Sequence, residues 1–229
     1  MAKKNIGIIF ADRMEYLPFL EYTQGKYECE DIIYRCGRGF TADIKKAVLH
    51  AVECGIGKVN AASAAAFLIA DNKVDMILSA GLSGAIADFP RGSYIAGTTY
   101  IEADFDLTPI GYAPGEKPQE KFVYEADPAL IAAAANIKGV KAGALGTGDF
   151  FLADAEKRDF YRDTFGIKAF DMETAAIASV CYKTGTPFLA LRKISDGAGE
   201  GASDDYTEMN DIGEQALAEL LYKLIDIIV

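Results

Sequence analysis

Short apolar runs alternate with helix-patterned segments from one end of this chain to the other, and few architectures can absorb that pattern. Asn5–Phe10 (NIGIIF) reads as a short buried strand, and Glu15–Tyr22 as a helix interrupted near Pro18. Glu28–Arg35 and Ala47–Cys54 alternate like strands, with turn residues around Gly37 and Gly39 between them. An Ala-rich helix over Lys58–Ala70 precedes a strand, Met76–Ser79, and a glycine loop, Gly81–Gly84. Further strands are expected at Ser93–Glu102, Val140–Leu145, Ala169–Met172 and Pro187–Ile194. The intervening helices are Pro128–Ile137, Ala153–Thr164 and Glu173–Thr184, and one long helix, Asp205–Val229, closes the chain. Alternation of this kind predicts an α/β fold, an α/β/α sandwich around a central mixed sheet. With no linker, repeat or low-complexity stretch, 1–229 reads as a single domain.

Charge and composition narrow the function. The 34 acidic residues outweigh the 23 basic ones, for a net charge of −11. Neutralising phosphates requires a basic surface, so nucleic acid is excluded as a partner, and anionic membranes are disfavoured for the same reason. No segment reaches the roughly 18 apolar residues of a membrane span. The apolar stretch after Lys3-Lys4 is too short for a secretory signal, so a cytoplasmic location is expected. Cys29, Cys36, Cys54 and Cys181 have no metal-ligand spacing, and the one histidine, His50, reads as a strand residue. No metal site is expected. Gly55-Ile56-Gly57-Lys58 lacks the spacing of a phosphate loop, and GxGxxG is absent, so no nucleotide cofactor is indicated.

In sheets of this class chemistry gathers where strands end. Four such places stand out: Asp12–Glu15 after NIGIIF, the glycine segment after Met76–Ser79, Asp171-Met172-Glu173, and Arg192–Asp196. Taken singly, each has a structural explanation. Glu15 fits a solvated first helical turn and Glu173 a helix N-terminus, while Asp196 could cap a loop with Arg192 as its partner.

Together with CGIGKVNAA (Cys54–Ala62), SAGLSGAIA (Ser79–Ala87), GTGDFFL (Gly146–Leu152), FDMETAAIASVC (Phe170–Cys181) and RKISD (Arg192–Asp196), these segments resemble the 5′-methylthioadenosine/S-adenosylhomocysteine nucleosidases, within the wider nucleoside phosphorylase superfamily. The resemblance runs from about Asn5 to the last helix, in the family's motif order. It implies hydrolysis of an adenine N-glycosidic bond without metal or cofactor, a small-molecule nucleoside as substrate, and a homodimer. By resemblance, Asp196 protonates purine N7, Glu173 holds the ribose hydroxyls, and Glu15 orients or deprotonates the attacking water, with Arg192 positioning water and carboxylates. Met172 would pack on the sugar, Phe151 would stack on the adenine, Leu152 would offer its backbone to the base, and Ile56 would wall the 5′ pocket. Phe105, Ile110 and Pro118, in a loop over 104–118, would reach into the partner subunit's site.

The chain departs from the family pattern at several places. Asp12 stands where an apolar residue is usual, Leu82 where a small hydroxyl residue is usual, Asp171 in place of glutamate, and Lys193 in place of a small residue. The loop over 104–112 is two residues longer than the common pattern. A phosphorylase and a futalosine-type nucleosidase of the same superfamily are the competing activities. A catalytically silent nucleoside-binding protein is the alternative from another class.

Overall fold

Residues 3–87, 89–211 and 215–229 are described in a computed structural model of the chain. Ten strands and seven helices lie among the described residues. The first half reads β1 (Lys4–Phe10), α1 (Arg13–Gln24), β2 (Cys29–Tyr34), β3 (Gly37–Asp43), β4 (Ala47–Glu53), α2 (Lys58–Asn72), β5 (Met76–Ala85) and β6 (Tyr94–Glu102). After a 3-10 turn at Thr108–Ile110 come β7 (Val123–Glu125), α3 (Pro128–Ala135), β8 (Val140–Thr147), α4 (Ala155–Phe165), β9 (Ala169–Asp171), α5 (Thr174–Thr184) and β10 (Phe188–Asp196). Helices α6 (Ala202–Asp211) and α7 (Gln215–Ile228) follow.

The mixed sheet expected from the alternation is present. From one edge it runs β2-β3-β4-β1-β5, with β4, β1, β5 and β10 mutually parallel. Strand β5 is long enough to serve two roles. Its first half pairs with β1 and its last residues with β9, while β10 runs alongside nearly all of it. Strands β10, β6, β8 and β9 then lead back to β5, so half of the sheet closes on itself. Strands buried on both faces read as continuous apolar runs, as Ile6–Phe10 and Phe188–Leu191 do, and β10 stays buried through Asp196, its charged residues included.

Three details differ from what the sequence suggests. The stretch read as turns around Gly37 and Gly39 is strand β3, antiparallel to both β2 and β4. A Cβ on Gly39 would stand 1.9 Å from the carbonyl oxygen of Ala51, so that glycine marks close strand approach rather than a bend. The glycine loop Gly81–Gly84 is likewise strand, the second half of β5. Helix α1 runs through Pro18 without interruption; buried Tyr16 and Phe19 pack on Phe10 and Phe40 and hold the turn that Pro18 deprives of a hydrogen bond. The expected terminal helix over Asp205–Val229 includes 212–214, which lie outside the described residues; α6 and α7 are helical on either side of them. Helix α7 packs its apolar face inward, with Leu217, Leu221, Leu224 and Ile225 buried at helical spacing.

Candidate active site

Strands β1 and β10 end beside the second half of β5, where β9 arrives from the opposite direction, and a cavity of about 280 Å³ opens there. Its lining draws on the segments after β1, β4, β5, β8, β9 and β10: Glu15, Ile56, Leu82, Phe151, Leu152, Met172, Glu173 and Asp196 all face it, with Tyr206 from α6. Seven of the residues expected from the sequence thus share one cavity. Arg192 is not in the lining. It lies buried, 2 % exposed, donating from Nε to Asp171 Oδ2 at 3.1 Å and from Nη2 to Ser79 Oγ at 3.0 Å. Nor do Phe105, Ile110 and Pro118 line this chain's own cavity; Ile110 projects to the surface, 69 % exposed.

Local structure explains how each carboxylate is presented. Asp12 N-caps α1 by accepting from the Glu15 backbone N–H at 3.0 Å, which fixes the first turn that carries the Glu15 side chain. That side chain folds back onto the sheet, Oε1 accepting from Leu82 N at 2.7 Å and Oε2 from Ala11 N at 3.1 Å. The space it occupies exists because position 81 is glycine: a Cβ there would lie 2.4 Å from Oε1. Gly84 does the same for Asp196, whose Oδ1 would lie 2.8 Å from an added Cβ. The glycines of this segment leave room for acids carried on neighbouring elements.

Glu173 occupies the N-cap position of α5 but makes no capping bond itself. Asp171 takes over that duty, its Oδ1 accepting from the backbone N–H groups of Glu173 and Thr174, both at 3.0 Å. Asp171 also accepts from the hydroxyls of Thr147 and Thr174 and from Arg192. The Glu173 carboxylate is thereby left to face the cavity, where Gly57 N donates to Oε1 at 2.9 Å and Met172 N to Oε2 at 3.3 Å. Asp196, at the end of β10, accepts from Ser195 Oγ at 2.7 Å and from Ala198 N at 2.8 Å.

One buried guanidinium cannot neutralise four acids, and Asp171 holds it most closely. The remaining carboxyls are pushed toward their protonated forms. Burial, then the charge of Asp12, raise Glu15 to about 8, against the pull of Arg192. Burial and Asp171 raise Glu173, again opposed by Arg192. Burial raises Asp196 as well, partly offset by the hydrogen bonds from Ser195 and Ala198. A cavity with apolar walls, an acid prone to hold its proton and two further carboxyls suits proton donation and water activation at one bond.

A family model described as Phosphorylase superfamily matches residues 5–226. A 5′-methylthioadenosine/S-adenosylhomocysteine nucleosidase from Geobacillus thermodenitrificans is 34% identical over 185 residues, which cover 77% of this chain and 78% of that protein. The chain belongs to this nucleosidase family. A family member from Helicobacter pylori, solved with a 4-aminopyrrolopyrimidine-methyl pyrrolidinol that carries a propynylthio group, superposes with a TM-score of 0.94 at 27% identity and 99% coverage of both chains. Futalosine hydrolase from the same organism superposes with a TM-score of 0.92 at 26% identity and 97% coverage of both. The nucleosidase fold and a sister fold are thus nearly superimposable, and chemistry must be argued from side chains.

The sequence reading passed over several lining residues. Ser83 and Ser195 lie beside Asp196, and the Ser83 hydroxyl is buried with no hydrogen-bond partner among the described residues. Phe150 and Phe170 add to the apolar wall, and Tyr206 meets Phe151 edge-on at 5.5 Å. No spacing rule links position 206 to the strand ends; only the fold of α6 brings it there. Of the departures from the family pattern, Asp171 is the capping and ion-pairing hub just described, and Leu82 supplies a backbone donor that its side chain does not alter.

Proposed function

We propose that this chain hydrolyses the N-glycosidic bond of 5′-substituted adenine nucleosides, such as 5′-methylthioadenosine, S-adenosylhomocysteine and 5′-deoxyadenosine, releasing adenine and the 5-substituted ribose. The observation that carries this reading is the convergence of three raised carboxyls, Glu15, Glu173 and Asp196, from three separate elements on one apolar cavity. Cleaving a purine–ribose bond leaves a cationic, oxocarbenium-like sugar and a poor leaving group. Protonated Asp196 gives its proton to purine N7, and its second oxygen accepts from the 6-amino group. Glu173 holds the ribose hydroxyls, and in its ionised form it stabilises the sugar cation. Glu15, in its ionised form, takes a proton from the water that adds to C1′. Arg192 acts through the carboxylates as a positioning residue, held by Asp171 and Ser79. Met172 packs on the sugar, Phe151 and Leu152 receive the base, and Ile56 walls the 5′ side.

The same proposal has the chain act as one catalytic unit, a cytoplasmic homodimer. Four free cysteines fit a reducing compartment. Ile110, 69 % exposed in the loop that also carries Phe105 and Pro118, supports a subunit contact that completes the neighbour's 5′ pocket. Sedimentation of a fully active monomer at micromolar concentration would refute that part.

A futalosine-type activity is the second reading, favoured by the fold neighbour alone. The base discriminates the two. A 6-oxo group offers only an acceptor where Asp196 presents another, and buried polar mismatches discriminate strongly. Matched 5′-deoxyadenosine and 5′-deoxyinosine test it, with the released base measured chromatographically. We expect adenine release to exceed hypoxanthine release by at least about 100-fold in kcat/KM; equal values would overturn the adenine assignment.

A further inference from the structure

Once base, ribose and water are assigned to Asp196, Glu173 and Glu15, one charged group in the cavity lining has no role. Asp12 uses Oδ1 to cap α1, but among the described residues its Oδ2 has only the Tyr206 hydroxyl, at 3.4 Å, well beyond the ordinary 2.7–2.8 Å of an O–H to O bond. An ionised carboxylate offers about four acceptor sites. Asp12 therefore faces the cavity with unused acceptor capacity, in a lining otherwise rich in aromatic and aliphatic carbon. Tyr206 is fixed in place by its edge-on contact with Phe151, and burial keeps its phenol neutral, able to donate or accept. Asp12 sits one helical turn before Glu15, and Asp12 and Tyr206 line the same cavity as Glu15 and Glu173. The nucleoside group still lacking a polar partner is the one at C5′.

We infer that Asp12 and Tyr206 form a polar grip on the 5′ substituent, selecting nucleosides whose 5′ group carries an O–H or N–H donor, an ammonium best, over those with an apolar 5′ group. The inference rests on the adenine nucleosidase reading. A cation there meets the Asp12 carboxylate directly, while Tyr206 turns its hydroxyl to bridge the two. A 5′-methyl or alkylthio group leaves the carboxylate buried against carbon, which hydrogen bonding to a charged group would otherwise have repaid.

The test compares 5′-amino-5′-deoxyadenosine with 5′-deoxyadenosine at a pH where the amine is charged, using adenine release by the full chain. Wild type is expected to favour the amino substrate by at least about tenfold in kcat/KM. Asp12→Asn keeps an oxygen to cap α1 and removes the charge, and should cut that ratio more than about threefold; Tyr206→Phe should reduce it in the same direction. Melting temperatures of both variants check that they fold. A wild-type ratio below about tenfold, or a ratio in Asp12→Asn within threefold of wild type, overturns the grip while leaving the nucleosidase reading standing. Adenine released from neither nucleoside overturns both.

Discussion

Glu15 and Gly81 form a fitted pair: the carboxylate of one fills the volume where a side chain of the other would be, with Oε1 only 2.4 Å from the position of an added Cβ. Neither lies near the other in sequence, and the contact sets the pose of the group proposed to activate water. Gly81→Ala forces the carboxylate off its bonds to Leu82 N and Ala11 N. We expect kcat/KM to fall about 100-fold, the scale of a mispositioned general base, with overpacking costing about 1–3 kcal/mol. Steady-state kinetics and urea denaturation check both; activity within twofold of wild type would show that Glu15 does not need this pose.

Glu15 also imposes a pH signature on stability. Its carboxyl sits at about 8 in the folded chain against an ordinary 4.5, so the native state holds a proton that the unfolded chain releases between these values. Stability from this group is fully present below about 4.5 and is lost as pH rises through about 8. Glu173 adds a slope of the same sign. The melting temperature of wild type should therefore fall between pH 5 and 8 more steeply than that of Glu15→Gln, and parallel curves would contradict the assignment.

Asp171→Asn leaves the caps of α5 partly intact but strips the closest charge from Arg192, which is 2 % exposed. Uncompensated buried charge typically costs about 3–5 kcal/mol. Urea denaturation should show a loss of that order, together with weakened kcat as Glu173 and Arg192 shift. A loss below about 1 kcal/mol would mean that the buried pair is not structural.

Asp196→Asn probes the acid. The amide can still accept from Ala198 N and bond Ser195, so the fold should survive with its melting temperature unchanged. It cannot protonate N7, and kcat should drop about 10²–10⁴-fold. Near-wild-type turnover would remove Asp196 from the mechanism.

Much of this was legible in the sequence for a physical reason. Strand–helix alternation encodes a buried sheet, and the acids after its strands, Glu15, Glu173 and Asp196, converge because β1 and β10 end beside the stretch of β5 that β9 meets from the opposite direction. Glycines were harder to read. Gly39, Gly81 and Gly84 read as turns, yet each serves a straight strand where a neighbouring backbone or carboxylate comes too close for a side chain. Local sequence does not distinguish a glycine that bends from one that makes room. Arg192 read as a site residue and lies behind the cavity wall, since its charge is spent on Asp171 and Ser79. Tyr206 left no signal at all, because its place depends on where α6 packs rather than on any spacing.

Water, not phosphate, is proposed to attack C1′. No arginine lies in Ser79–Gly84, and Glu15 fills that segment's face and takes the Leu82 N–H that an anion would need, while in its ionised form it can accept a proton from water. The direct measurement is chromatography of base and sugar from 5′-deoxyadenosine and 5′-methylthioadenosine, with and without added phosphate. Adenine and free 5-substituted ribose are expected at rates indifferent to phosphate. Adenine release that requires phosphate and yields the ribose 1-phosphate would contradict it and make the chain a phosphorylase.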